Sequence, residues 1–198
     1  MNSIRVVPNV ASYLAEAPIR SITPMRLIPI AALFTLAAAD PCCAQTINIT
    51  GETVDGRTIT LPQVSAGKHC IIAVAASQKA EPMLEAWLEP VYNRLVLKSG
   101  LMVSDVDCDL WLVPVFTGMN KVAYGPMMER LKAEADPDIA QRVVFVKDDN
   151  TALLDALGMK NLDEPYFFVL GPDGARKHTE HGTYNVDKLD ALEEALEK

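Results

Sequence analysis

Residues 70–97 read C-I-I-A-V-A-A-S-Q-K-A-E-P-M-L-E-A-W-L-E-P-V-Y-N-R-L-V-L. Positions 70–76 are apolar throughout. A strand with no polar side is buried on both faces, as in the centre of a parallel sheet. From residue 81 the period changes. Met83, Leu84, Trp87, Leu88, Val91 and Leu95 recur at helical spacing, which predicts an amphipathic helix over 81–97. Pro90 lies inside it and is expected to kink it, because proline has no N–H and its ring crowds the preceding turn. Between strand and helix stands the short polar link Ser77-Gln78-Lys79-Ala80. No cysteine occurs between Ile71 and Asp107.

Working outward, residues 46–61 predict a hairpin. Ile47, Ile49, Ile59 and Leu61 sit in short alternating runs, and Asp55-Gly56 supplies the turn. Ala66-Gly67-Lys68 is a second turn. L-W-L-V-P-V-F at 110–116 is another buried strand. Pro126 is expected to open a helix as its first residue, with Met127, Met128, Leu131 and Ala135 on one face. A short strand follows at 143–146, then a helix over 151–158 capped by Asp149 or Asn150. Residues 166–170 pair with 175–181 across Gly171-Pro172-Asp173-Gly174. Asn185 caps a last helix with Val186, Leu189, Leu192 and Leu196 turned inward. The order predicts an α/β fold, a central mixed sheet with flanking helices and an N-terminal β-hairpin.

The N-terminus is of another kind. Arg26 precedes thirteen uncharged residues, 27–39, and then Asp40-Pro41-Cys42-Cys43-Ala44-Gln45. A basic residue, a short apolar run and a small-residue exit make a secretory signal over about 25–44. Spanning a bilayer takes about 20 residues, so no transmembrane segment is expected in the mature chain. Cleavage after Ala44 fits best, with Ala39 as the alternative. Residues 1–24 precede a better start at Met25 and are read as following a mis-assigned upstream start codon; an organelle presequence is the alternative, which Arg5, Arg20 and Arg26 suit and Glu16 and Asp40 oppose. The chain thus divides into an extension, 1–45, and a domain, 46–198. Without the extension 15 basic and 24 acidic side chains remain, a net charge of −9. Such a surface repels phosphate backbones, and no basic stripe offsets it, so nucleic acid is not an expected partner.

Three stretches carry a family likeness. D-G-R-T-I-T-L-P at 55–62, then A-G-K at 66–68 and the strand from Cys70, resembles the entry of extracytoplasmic thioredoxin-like proteins, the branch that includes peroxiredoxins. Pro90 resembles the proline inside the first helix of thioredoxins. Glu164-Pro165 followed by Y-F-F-V-L-G-P-D-G resembles their cis-proline loop, strand and turn. Residues 113–146 with the strand after Pro165 also have a faint likeness to the assembly factors of F-type ATPases. The resemblance covers roughly residues 52–198 and implies a thioredoxin-like fold. It departs where the chemistry would be, because residues 78–85 carry no thiol, and the thiolate is the agent of disulfide exchange.

The likeness, less its thiols, implies a non-catalytic, redox-inactive binding or assembly and folding module of the cell envelope, periplasmic or secreted. The candidate site is a peptide-docking groove of Ser77, Gln78, Glu81, Glu164 and Pro165, with an extended polypeptide as partner and no cofactor. Two alternatives stay open: an oxidoreductase-like protein using Cys70 and Cys108, or an enzyme of another type in the same cleft. Cys70 and Cys108 are either a structural disulfide or two buried thiols. Asp105, Asp107 and Asp109 alternate, but no Ca²⁺-binding loop surrounds them, and a solvated linker is expected. His178 and His181 stand at odd spacing, so on a strand they face opposite ways, as surface side chains rather than metal ligands. His69 has no evident partner. Met83, Met119, Met127 and Met128 are expected in the core.

Overall fold

The computed structural model describes residues 47–99, 106–147 and 150–198. The signal segment, Cys42, Cys43, Asp105 and Asp149 lie outside them, as does the side chain of Met119. Strand β3, His69–Ala75, is central, as its apolar run requires. On one side it pairs in parallel with β4, Cys108–Pro114. On the other it pairs antiparallel with β6, Tyr166–Leu170, which continues to β7, Arg176–His181. The hairpin β1, Ile49–Thr53, and β2, Thr58–Leu61, turns through Gly56, whose φ of 80° suits a residue without Cβ. β1 pairs antiparallel with β5, Val144–Phe145. Parallel bridges Leu112↔Val143 and Val115↔Val146 tie β5 to β4, where Phe116 N–H donates to the Val146 carbonyl at 2.8 Å. The spatial order is therefore β2-β1-β5-β4-β3-β6-β7.

Alternation sends the sheet's side chains into two cores. Ile71, Ala73, Leu110, Phe167 and Val169 face one side. There α1, Ala80–Val91, adds Trp87, α2, Tyr124–Glu134, adds Met128, and α5, Val186–Leu196, adds Leu189 and Leu192. Cys70, Ile72, Val74, Val113 and Phe168 face the other. There they meet Ile49 and Leu61 of the hairpin and Leu154 and Leu157 of α4, Thr151–Leu157. Each large aliphatic or aromatic side chain so buried stabilises the fold by about 1.5–3 kcal/mol.

Three local expectations change. The first helix does not run to 97 as α-helix. Pro90 leaves the Ala86 carbonyl without its usual donor, and α1 passes into a π turn, Tyr92–Val96, where Leu97 N–H reaches back to the Tyr92 carbonyl at 2.9 Å. Pro126 does not open α2. The helix begins two residues earlier, at Tyr124, and Pro126 still falls within the first turn, where no N–H is needed. Asn185 caps α5 by accepting from Asp187 N–H at 2.9 Å, but Val186 is 54% exposed, because the first turn of α5 points away from the sheet. Asn150 occupies the N-cap position of α4. A short helix α3, Pro137–Ala140, follows α2, with Asp136 accepting from Asp138 N–H at 2.8 Å.

Candidate functional site

The edge in question joins four chain ends: the exits of β3, β4 and β7 and the entry of β6. After β3 the chain turns at Ser77, whose carbonyl and Oγ both accept from Ala80 N–H, at 3.1 and 3.3 Å. Ser77 is therefore engaged in starting α1. Lys79 reaches across to Asp163 just before β6, with Nζ 2.6 Å from Oδ2. Ser77, Gln78 and Glu81 share a cleft with Pro114, Val115 and Phe116. Burial raises the pKa of Glu81, Arg130 opposes the shift and Glu85 adds to it. The cleft encloses ≈ 20 Å³, room for about one water molecule. Small-molecule sites usually take roughly 300–1,000 Å³.

Glu164 and Pro165 do not line this cleft. The expected cis bond is also elsewhere: among the described residues the cis peptide is Leu61–Pro62, and Glu164–Pro165 is trans. Pro165 is buried, and its carbonyl accepts from Gly182 N–H at 3.0 Å, which extends the β6–β7 pairing by one step. Glu164 is engaged as well. Its Oε2 lies 3.0 Å from His181 Nδ1, and its Oε1 accepts from Asn161 Nδ2 at 2.9 Å. His181 stacks on Tyr166 with centroids 5.0 Å apart. A carboxylate beside an imidazole is half of a general-base arrangement. Among the described residues no hydroxyl or thiol bonds the His181 ring.

The thiols are at the opposite strand ends. Cys108 pairs with His69, so Cys70 and Cys108 are offset by one along neighbouring strands. An offset of one puts side chains on opposite faces. Cys70 belongs to one core and Cys108 to the other, and both are free thiols. The disulfide alternative is overturned by that register. Burial pushes the Cys70 thiol up to about 12, with Ser65 opposing, and the Cys108 thiol up to about 11. Cys108 Sγ donates to the Leu95 carbonyl at 3.3 Å. Nearby, Asp107 meets Lys68 at 3.4 Å, and His69 Nδ1 is buried without a partner.

The pairing of Glu164 with His181 and of Lys79 with Asp163 was not foreseen from the sequence. Among the described residues no group of three or more His, Cys, Asp or Glu is placed to hold a metal, and no helix is long and apolar enough to cross a membrane.

No protein-family model matches the chain, and no curated protein matches it by sequence. Solved structures do. A thiol:disulfide interchange protein DsbE from Chlorobium tepidum is 16% identical over 76% of this chain and 92% of its own, with a TM-score of 0.50. The exposed lipoprotein thioredoxin Etrx1 of Streptococcus pneumoniae strain TIGR4 is 19% identical over 74% and 98%, TM-score 0.50. BsSco, a member of the Sco family of cytochrome c oxidase assembly proteins, is 13% identical over 77% and 93%, TM-score 0.50. The fold of the described residues is thioredoxin-like, an α/β arrangement with a mixed sheet.

Proposed function

We propose that the chain is a redox-inactive thioredoxin-like module of the cell envelope that binds, assembles or helps fold another protein. The observation that carries this is the separation of thiols from the edge. The edge presents Ser77, Gln78, Lys79 and Glu81, while Cys70 and Cys108 are buried at the far strand ends on opposite faces. A thiolate is required for disulfide exchange, and neither thiol is positioned or ionised for it. The small cleft favours a protein partner over a small-molecule substrate. The Sco neighbour, an assembly protein by its own description, gives a precedent on the same fold only.

The purified mature domain is expected to show no insulin reduction and no peroxide removal, in assays where a thioredoxin turns over. Activity that persists in the Cys70→Ser, Cys108→Ser double variant would locate chemistry elsewhere and sink the proposal, as would activity lost with either thiol. For the positive half, a photo-crosslinking side chain in place of Gln78 should capture an envelope protein that the same group in place of Lys177, exposed at the start of β7 near the opposite end of the sheet, does not.

The envelope assignment rests on residues 25–44. N-terminal sequencing of the native protein should give Gln45, or Asp40 if the earlier site is used. A cytoplasmic chain beginning at Met1 or Met25 would overturn it.

A further inference from the structure

A second surface lies away from the thiol-free edge. Along the outer side of α1 and its π turn, Leu88, Tyr92 and Leu97 form an apolar floor that Ile139 of α3 completes. The groove between the two elements holds ≈ 560 Å³. Leu97 is 55% exposed, one of five large apolar side chains left in solvent among the described residues. The rim is of one sign. Glu85 and Glu89 stand one helical turn apart on α1, and Asp136 and Asp138 face them from α3. All four are exposed. Among the described residues none of the four makes an ion pair. Asp136 accepts only backbone N–H, and Asp138 meets Gln141 Nε2 at 3.2 Å.

Like charges at i and i+4 destabilise a helix by about 0.2–0.5 kcal/mol. Glu81, Glu85 and Glu89 form such a row; Arg130 acts on Glu81, while Glu85 and Glu89 have no ion-pair partner among the described residues. The Arg142 guanidinium lies 5.9 Å over the Tyr92 ring, but neither arginine lines the groove.

We infer that this groove docks a basic amphipathic helix of a protein partner, its leucine-like face on Leu88, Tyr92, Leu97 and Ile139 and its lysines or arginines against the four carboxylates. The walls are helices, so no strand edge is offered for β-addition, and a helix laid between them is the mode that fits. From residue 85 to residue 97 the floor runs about 18 Å, roughly three turns of a guest helix. The inference goes beyond the edge and does not depend on it.

The probe is a synthetic peptide of lysine and leucine in helical repeat, with a glutamate-for-lysine peptide as control. Wild-type protein should bind the lysine peptide and not the control, with amide shifts confined to residues 85–97 and 136–139. Glu85→Gln with Glu89→Gln should weaken binding about tenfold, and Leu97→Ser should do likewise. A matched variant, Asp173→Asn with Asp187→Asn, removes two exposed charges outside the groove and should bind as wild type. Equal loss in the matched variant would reduce the effect to net charge and overturn the inference. Shifts mapping outside the groove, or unchanged affinity in the Glu85/Glu89 variant, would also overturn it. Circular dichroism of each variant excludes misfolding, and an unchanged Gln78 crosslink separates this result from the fate of the edge.

Discussion

Trp87→Ala is expected to cost about 3–5 kcal/mol of stability, the range for removing a fully buried indole. Trp87 is 0% exposed. Its ring lies 4.5 Å from Phe167 on β6 and 5.3 Å from Tyr184 after β7, and its Nε1 donates to the Gly182 carbonyl at 2.9 Å. One side chain thereby fastens α1 to the two strands whose ends make the edge. Gly182 in turn donates to Pro165, so the indole also fixes the backbone that sets where Glu164 and His181 stand. Trp87→Phe separates the parts. It keeps most apolar contact but leaves the Gly182 carbonyl buried without its donor, which costs about 1–3 kcal/mol. Urea denaturation of both variants measures this. A loss under about 1 kcal/mol for Trp87→Ala would mean α1 is not seated on the sheet as described.

The strands were legible where burial is two-sided. Residues 70–76 have no polar position to mislead, and the hairpin and late turn carry glycines at φ 80° and 76° that only a few residues tolerate. Element ends were less legible. Pro126 reads as a first helical residue, yet a proline anywhere in the first turn costs nothing, so it cannot mark the boundary within two residues. Val186 follows the helical period but sits where α5 has not yet met the sheet.

The site was legible only in its absence of thiols. Cys70 and Cys108 begin neighbouring strands, but whether they face each other depends on a register of one residue, which no single strand reveals. His181 was hidden for the same reason. Leu170 pairs with Arg176, and counting on from there sets Tyr166 opposite Glu180. A register shift between Val169 and Leu170 sets it opposite His181 instead, and that brings the imidazole to Glu164. The Glu164–Pro165 isomer is equally silent in sequence, since glutamate before proline accepts either form. It was carried by family likeness alone.

The buried thiols are expected to be nearly inert while the domain is folded. An ordinary cysteine thiol has a pKa of 9.0; burial takes Cys70 to about 12, which lowers its thiolate fraction about a thousandfold near neutral pH. Cys108 at about 11 is held down about a hundredfold. Limited access slows them further. Iodoacetamide at pH 8 should therefore modify both at least about a hundred times more slowly in native protein than in denaturant. Native modification at the unfolded rate would mean that a thiol is accessible, and would restore the oxidoreductase alternative. The same shifts have a sign in stability. The folded state holds these protons more tightly than the unfolded one, so their contribution is fully present below pH 9. It is lost as pH rises toward 11 and 12. Tyr124, raised to about 12 by burial and by its bond to Glu52, acts in the same direction. The measurement is thus a difference. Between pH 8 and 11 wild-type stability should fall more steeply than that of the Cys70→Ala, Cys108→Ala variant. Parallel curves would place both thiols in water-like surroundings, which neither core could provide.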